Sequence, residues 1–167
     1  MKKIAILVEN FYQDLELWYP KMRLGEAGHE GIFVGPERGQ TYHGKYGYPC
    51  KCDLSFANAY SKDFDGLVVP GGFAPDRLRK EKGVLALVQA MHEEEKPIAF
   101  ICHGGWVAIS AKILKGKKAT SFDAIKDDME NAGAIWLDEP CVVDGNLISS
   151  RTPADLPAFM MELLSQL

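Results

Sequence analysis

The chain has 167 residues, a formal net charge of -4, and 47% hydrophobic against 25% charged residues, the balance of an ordinary globular protein. That length is enough for one domain, residues 1–167, with a full core. The acidic balance argues against a nucleic-acid partner, and no apolar run approaches the roughly 20 residues of a membrane span. The apolar run Ile4 to Val8 follows Met1-Lys2-Lys3 and reads as a buried first strand rather than a secretory leader. Leu15, Trp18, Met22 and Leu24 then predict a helix to about Ala27, capped by Asp14, ended by Gly28 and bent near Pro20. Gly31 to Gly35 is a second strand, Pro36 to Lys45 a loop, Tyr46 to Leu54 an extended hairpin arm and Ser55 to Tyr60 a short helix. Phe64 to Pro70 gives the next buried strand, Pro75 to Arg79 a short helical turn and Gly83 to Glu94 an amphipathic helix.

The richest stretch is Lys96 to Trp106, where an apolar strand rises to Cys102-His103-Gly104-Gly105 and a helix is expected from Trp106 to Leu114. Beyond it, Lys117 to Thr120 is a short strand, Ile125 to Ala132 a helix and Ala134 to Leu137 extended. Val142 to Ile148 is a hairpin turned at Asp144-Gly145, and a helix from Thr152-Pro153-Ala154-Asp155 runs to Leu167. Strands alternating with helices predict an α/β protein, with a mostly parallel sheet and helices on both faces.

In such a sheet, ligands bind outside the carboxyl ends of the strands. Three junctions leave such ends: Glu9 to Glu16, Pro70 to Asp76, and Cys102 to Trp106. Cys102, at a helix N-terminus, is the candidate nucleophile, with a thiol expected to ionise below its usual range. His103 is its neighbour in sequence, and its ring either turns back to the sulfur or does not. Gly71, Gly72 and the His103 N–H are candidate oxyanion donors. Glu16 is the carboxylate expected nearest the sulfur, and Asp76 either orients His103 or complements a short helix. Cys50 and Cys52 read as residues of an extended segment, not metal ligands, and no metal or cofactor is implied. The four cysteines form no CxxC pair and are expected as reduced thiols in a cytoplasmic protein.

These motifs, in order along nearly the whole chain, resemble the PfpI family (intracellular protease I). The resemblance runs through Asp14-Leu15-Glu16-Leu17, Pro70 to Arg79, Lys96 to Ala99 with Ile101-Cys102-His103-Gly104, Leu114 to Ser121, and Ser149 to Leu156. It implies a three-layer sandwich of the flavodoxin-like, class I glutamine-amidotransferase-like kind. It also implies that Cys102 is the nucleophile, His103 its partner and Glu16 the acid touching the sulfur. An acid at the Asp76 position, often glutamate, completes the triad from a neighbouring subunit, so a homo-oligomer, dimer or hexamer, is expected. Here Asp76 is one methylene shorter, Gln13 stands where some members carry a second acid, and Gly105-Trp106 replaces a commoner proline and polar residue.

Members of the family have been described as peptidases, as hydrolases of methylglyoxal or glyoxal adducts, as glyoxalases and as stress proteins. The expected activity is therefore a cysteine-dependent attack on a small carbonyl compound or a peptide. The alternative is a non-catalytic redox-sensing or chaperone-like stress protein with an oxidisable Cys102. An amidotransferase subunit fits less well, because no histidine follows His103.

Overall fold

A computed structural model describes all 167 residues. The strands and helices are, in chain order, β1 (Lys3–Leu7), α1 (Asp14–Glu26), β2 (Glu30–Gly35), β3 (Thr41–His43), β4 (Pro49–Lys51) and β5 (Leu54–Ser55). Then come β6 (Gly66–Val69), α2 (Ala74–Leu78), α3 (Lys82–Glu93), β7 (Ile98–Ile101) and α4 (Gly105–Ser110). The chain ends with β8 (Lys118–Ala119), α5 (Lys126–Asn131), β9 (Ile135–Trp136), β10 (Cys141–Asp144), β11 (Leu147–Ser150) and α6 (Leu156–Ser165).

Seven strands form the central sheet in the order β10-β11-β7-β6-β1-β2-β5. Neighbours run parallel throughout, except for the β10–β11 hairpin, whose antiparallel pairs close at Asp144 and Leu147. Every residue of β6 and β7 is buried, as continuous apolar strands covered on both faces must be. Helices α1 and α6 pack on each other and on β2 and β11, while α3 and α4 meet each other and β7. The strand order reverses between β1 and β6. The crevice beyond their carboxyl ends is where an open sheet of this kind binds ligands.

Local differences from the expected elements have physical causes. Gln13, not Asp14, caps α1: its side-chain oxygen accepts from the N–H groups of Leu15 at 2.7 Å and Glu16 at 3.1 Å. Asp14 is claimed instead by a distant loop, its carboxylate accepting from the N–H groups of Tyr46 and Tyr48. Pro20 lies inside a continuous α1, where its missing N–H leaves the Glu16 carbonyl without the usual helical donor. Helix α4 stops at Ser110, short of the expected Leu114, because Lys112 adopts φ 60° and turns the chain. The loop expected from Pro36 contains β3, which pairs with β4 as the other arm of a small hairpin.

Candidate active site

The first supporting contact is a two-way clasp between the start of α1 and the end of β6. The Gln13 N–H donates to the Gly71 carbonyl at 3.1 Å, and the Gly71 N–H donates to Glu16 Oε2 at 2.7 Å. Glu16 is fully buried, and apart from this bond and the Cys102 side chain its carboxyl finds no partner, Oε1 having no nitrogen or oxygen partner. Burial pushes its pKa up to about 7, against the pull of the Gly71 N–H, the Lys45 charge and the Cys102 contact. The Gly71 N–H is thereby removed from the oxyanion donors that were expected.

Cys102 follows β7 directly, in a 3-10 turn spanning Cys102–Gly104 that leads into α4. Its φ of 60° is a left-handed conformation that a side chain adopts only under strain. The next residues are small because they must be: a Cβ on Gly104 would come within 2.6 Å of the Val69 carbonyl oxygen. The sulfur is buried and faces the N–H groups of His103 and Gly72, with His103 Nδ1 at 3.3 Å. Gly72 and His103 thus bring backbone donors to the sulfur. Gly72 is held at φ 80°.

The thiol itself departs from expectation. Burial and the adjacent Glu16 carboxylate push it up to about 12, outweighing the two N–H groups and Lys45, which pull it down. A helix of six residues behind a 3-10 turn does not overcome that desolvation. Strain at the turn gives a direct test. Cys102→Gly is expected to be more stable than Cys102→Ala by about 1 kcal/mol in urea denaturation, because only glycine is at ease at this φ. Equal stabilities would show a relaxed turn.

His103 is half-buried, and burial, with the Lys45 charge, lowers its pKa, which favours the neutral ring. Asp76 is not brought to it. The residue lies exposed on α2, and its side chain makes no hydrogen bond or ion pair within the chain. The other three site residues, Glu16, Cys102 and His103, do come together.

Two further residues reach the site from segments that carried no signal in the sequence. Lys45, in the loop pinned by Asp14, acts electrostatically on Glu16, Cys102 and His103 alike. Its ammonium lies 5.2 Å from the Tyr46 ring centre and 6.0 Å from that of Phe73, with no carboxylate paired to it. Phe122, after β8, donates its N–H to the Cys102 carbonyl at 3.3 Å and stacks on the His103 ring. It also lines a cavity of about 350 Å³ with Ser121, Asp123, Asp138, Arg151 and Thr152. All four cysteines are free thiols, and no group of three or more His, Cys, Asp or Glu residues is placed to hold a metal ion. No helix is long and apolar enough to cross a membrane.

Known proteins with the same arrangement of chain are readily found. The protein named Deglycase PH1704 from Pyrococcus horikoshii is 48% identical over 165 residues, covering 99% of both chains. General stress protein 18 of Bacillus subtilis is 42% identical over 168 residues, covering 99% of this chain and 98% of its own. Among solved structures, a two-domain Anabaena variabilis protein, described as having DJ-1/ThiJ/PfpI-like and ferritin-like domains, superposes with a TM-score of 0.97 at 43% identity. It is matched over 99% of this chain and 48% of its own. With the DJ-1/PfpI family matching residues 2–166 and relatives of this identity along the whole length, the chain belongs to the DJ-1/PfpI family.

Proposed function

We propose that the protein is a cysteine-dependent hydrolase of deglycase or peptidase type, acting in the cytoplasm through the Cys102 thiolate on a carbonyl carbon. The observation that carries this reading is the setting of one sulfur atom. On a strained turn, it meets the Glu16 carboxyl, His103 Nδ1 and the N–H groups of Gly72 and His103. The deglycase name of the 48% identical relative points the same way.

Above pH 7 the Glu16–Cys102 pair holds one proton, and the reactive form is the minor one that carries it on Glu16. With the proton on Glu16, the sulfur is a thiolate that accepts a hydrogen bond from the acid. The thiolate adds to the substrate carbonyl, so the S–C bond forms as the C=O π pair moves onto oxygen. The N–H groups of Gly72 and His103 hold that oxyanion. On a peptide, collapse of the adduct expels the amine, which takes the Glu16 proton, and leaves a thioester. Water then attacks the thioester, neutral His103 takes its proton, and Cys102 departs as thiolate.

In this reading the working form is a homo-oligomer, a dimer or hexamer, in which Asp76 reaches His103 of a neighbouring copy. Its support is that Asp76 is exposed and unpaired, and that Phe11, Tyr46 and Phe73 are exposed on the segments around the site.

The test is purified wild type beside Cys102→Ser, assayed for loss of methylglyoxal and for cleavage of an unfolded protein. Oligomer size is checked by light scattering. Turnover should fall by about a thousandfold or more in the variant, with the size unchanged. Equal traces from both proteins would overturn the enzyme reading. If low peroxide then oxidised Cys102 selectively, the redox-sensing stress protein would take its place.

A further inference from the structure

The His103 ring has one hydrogen-bond partner within the chain, the Cys102 sulfur at 3.3 Å from Nδ1. No carboxylate or carbonyl holds its other nitrogen, so hydrogen bonding alone does not fix the ring. Its rotamer is set instead by two aromatic neighbours. Phe122 stacks on it with centroids 5.0 Å apart and planes at 27°. Trp106 meets it in an edge arrangement at 5.1 Å and 71°. Both geometries are favoured arrangements of aromatic pairs.

Trp106 is itself held from two directions. Its indole Nε1–H donates to Asp128 Oδ2 on α5 at 3.0 Å. The Arg79 guanidinium lies 5.3 Å from the indole ring, and Arg79 Nε donates to Ser110 Oγ at the end of α4 at 3.0 Å. Helix α4 meets α5 closely at Gly105, where a Cβ would stand 2.8 Å from Met129 Sδ and 3.3 Å from Ile125 Cδ1.

We infer that Trp106 is a positioning residue: with Phe122 it clamps the His103 ring so that Nδ1 faces the Cys102 sulfur, within the single chain. The inference rests on the reading of Cys102 and His103 as a reactive pair. It assigns the orienting role to two aromatic rings and a buttress of Arg79 and Asp128. An acid from a neighbouring copy then adds to a ring already aligned.

The test reads the pair with and without turnover. Iodoacetamide alkylation of Cys102 at neutral pH reports how available the thiolate is, and needs no substrate. Alkylation should slow about tenfold in Trp106→Leu, the rate equivalent of one aromatic contact, and approach the rate of His103→Ala. Trp106→Phe keeps a ring at the edge of His103 and should recover most of the wild-type rate. Asp128→Ala leaves the core intact but frees the indole, and should give a rate between those of wild type and His103→Ala, which serves as the test where Trp106→Leu does not fold.

Nuclear Overhauser contacts between the His103 and Phe122 rings should weaken in Trp106→Leu and persist in Trp106→Phe. With an identified substrate, kcat should fall alongside alkylation while KM stays close to wild type. Wild-type alkylation and unchanged ring contacts in a folded Trp106→Leu, or in Asp128→Ala where Trp106→Leu does not fold, would overturn the clamp. Absence of turnover in wild type would overturn the hydrolase alone, because the alkylation and ring-contact series still decides the role of Trp106.

Discussion

Glu16→Gln is expected to make the protein more stable above pH 7 while removing most of its turnover. Glu16 is fully buried, and burial raises its pKa from 4.5 to about 7. Between those values the folded state holds a proton that the unfolded state has released. Stability therefore falls as pH rises through that window, and the whole loss is present above pH 7. A rise from 4.5 to about 7 corresponds to about 3 kcal/mol. Glutamine keeps an oxygen to accept from the Gly71 N–H and has no charge to bury.

Urea denaturation at pH 5 and at pH 8 separates the outcomes. Wild type should lose stability between the two, and Glu16→Gln should stay nearly flat across the window. Parallel losses in both proteins would place the titrating group elsewhere. Turnover should drop about a hundredfold or more, the usual worth of a positioned proton donor. A site residue that weakens the fold at working pH is the expected signature of function opposing stability.

Gly71→Ala is the second large effect. The added methyl would stand 2.6 Å from Glu16 Oε2, 2.7 Å from Cys102 Cβ and 3.0 Å from the Ile101 carbonyl oxygen. No real Cβ sits at the first two distances, and two of the three atoms belong to groups that cannot swing aside. The end of β6 must move away from α1 or from the Cys102 turn, and either movement breaks the clasp through Glu16. Overpacking of this kind costs about 1–3 kcal/mol. A displacement near 1 Å in the reacting groups removes about a hundredfold in rate. Gly25→Ala is the control, since a methyl there meets nothing within 4 Å. Thermal melts and turnover of the two variants decide it. If Gly71→Ala matched Gly25→Ala in both, the tight junction would have slack that its geometry denies.

Much of this site follows from the order of residues along the chain. The apolar run Ile98 to Ile101 ending at Cys102, and the run Gly66 to Val69 ending before Gly71-Gly72, mark two strand ends. Parallel pairing carries these and the Glu16 helix to one edge of the sheet, and that is where they lie. What could not be read depends on partners distant in sequence. Gln13 and Asp14 can both accept from a helix start, and only the Tyr46 and Tyr48 amides decide which of them does so.

Lys45 and Phe122 lie in short irregular segments whose periodicity reveals nothing. They reach the site because backbone bonds tie their segments to it, Lys45 N–H donating to the Tyr12 carbonyl and Phe122 N–H to that of Cys102. A helix start favours the thiolate, but desolvation and the Glu16 carboxylate oppose it at Cys102, and both come from parts of the chain distant in sequence.

The ends of the sheet have a consequence for assembly. One border strand, β5, has two residues, and the other, β10, has four and follows directly on Pro140. A border that short offers few unpaired amide and carbonyl groups for another chain to zip onto, and proline adds none as a donor. Growth by strand addition is therefore disfavoured at both sides. Any contact between copies of this protein is then expected to run through helices and loops, with the rims of the strands left out of it.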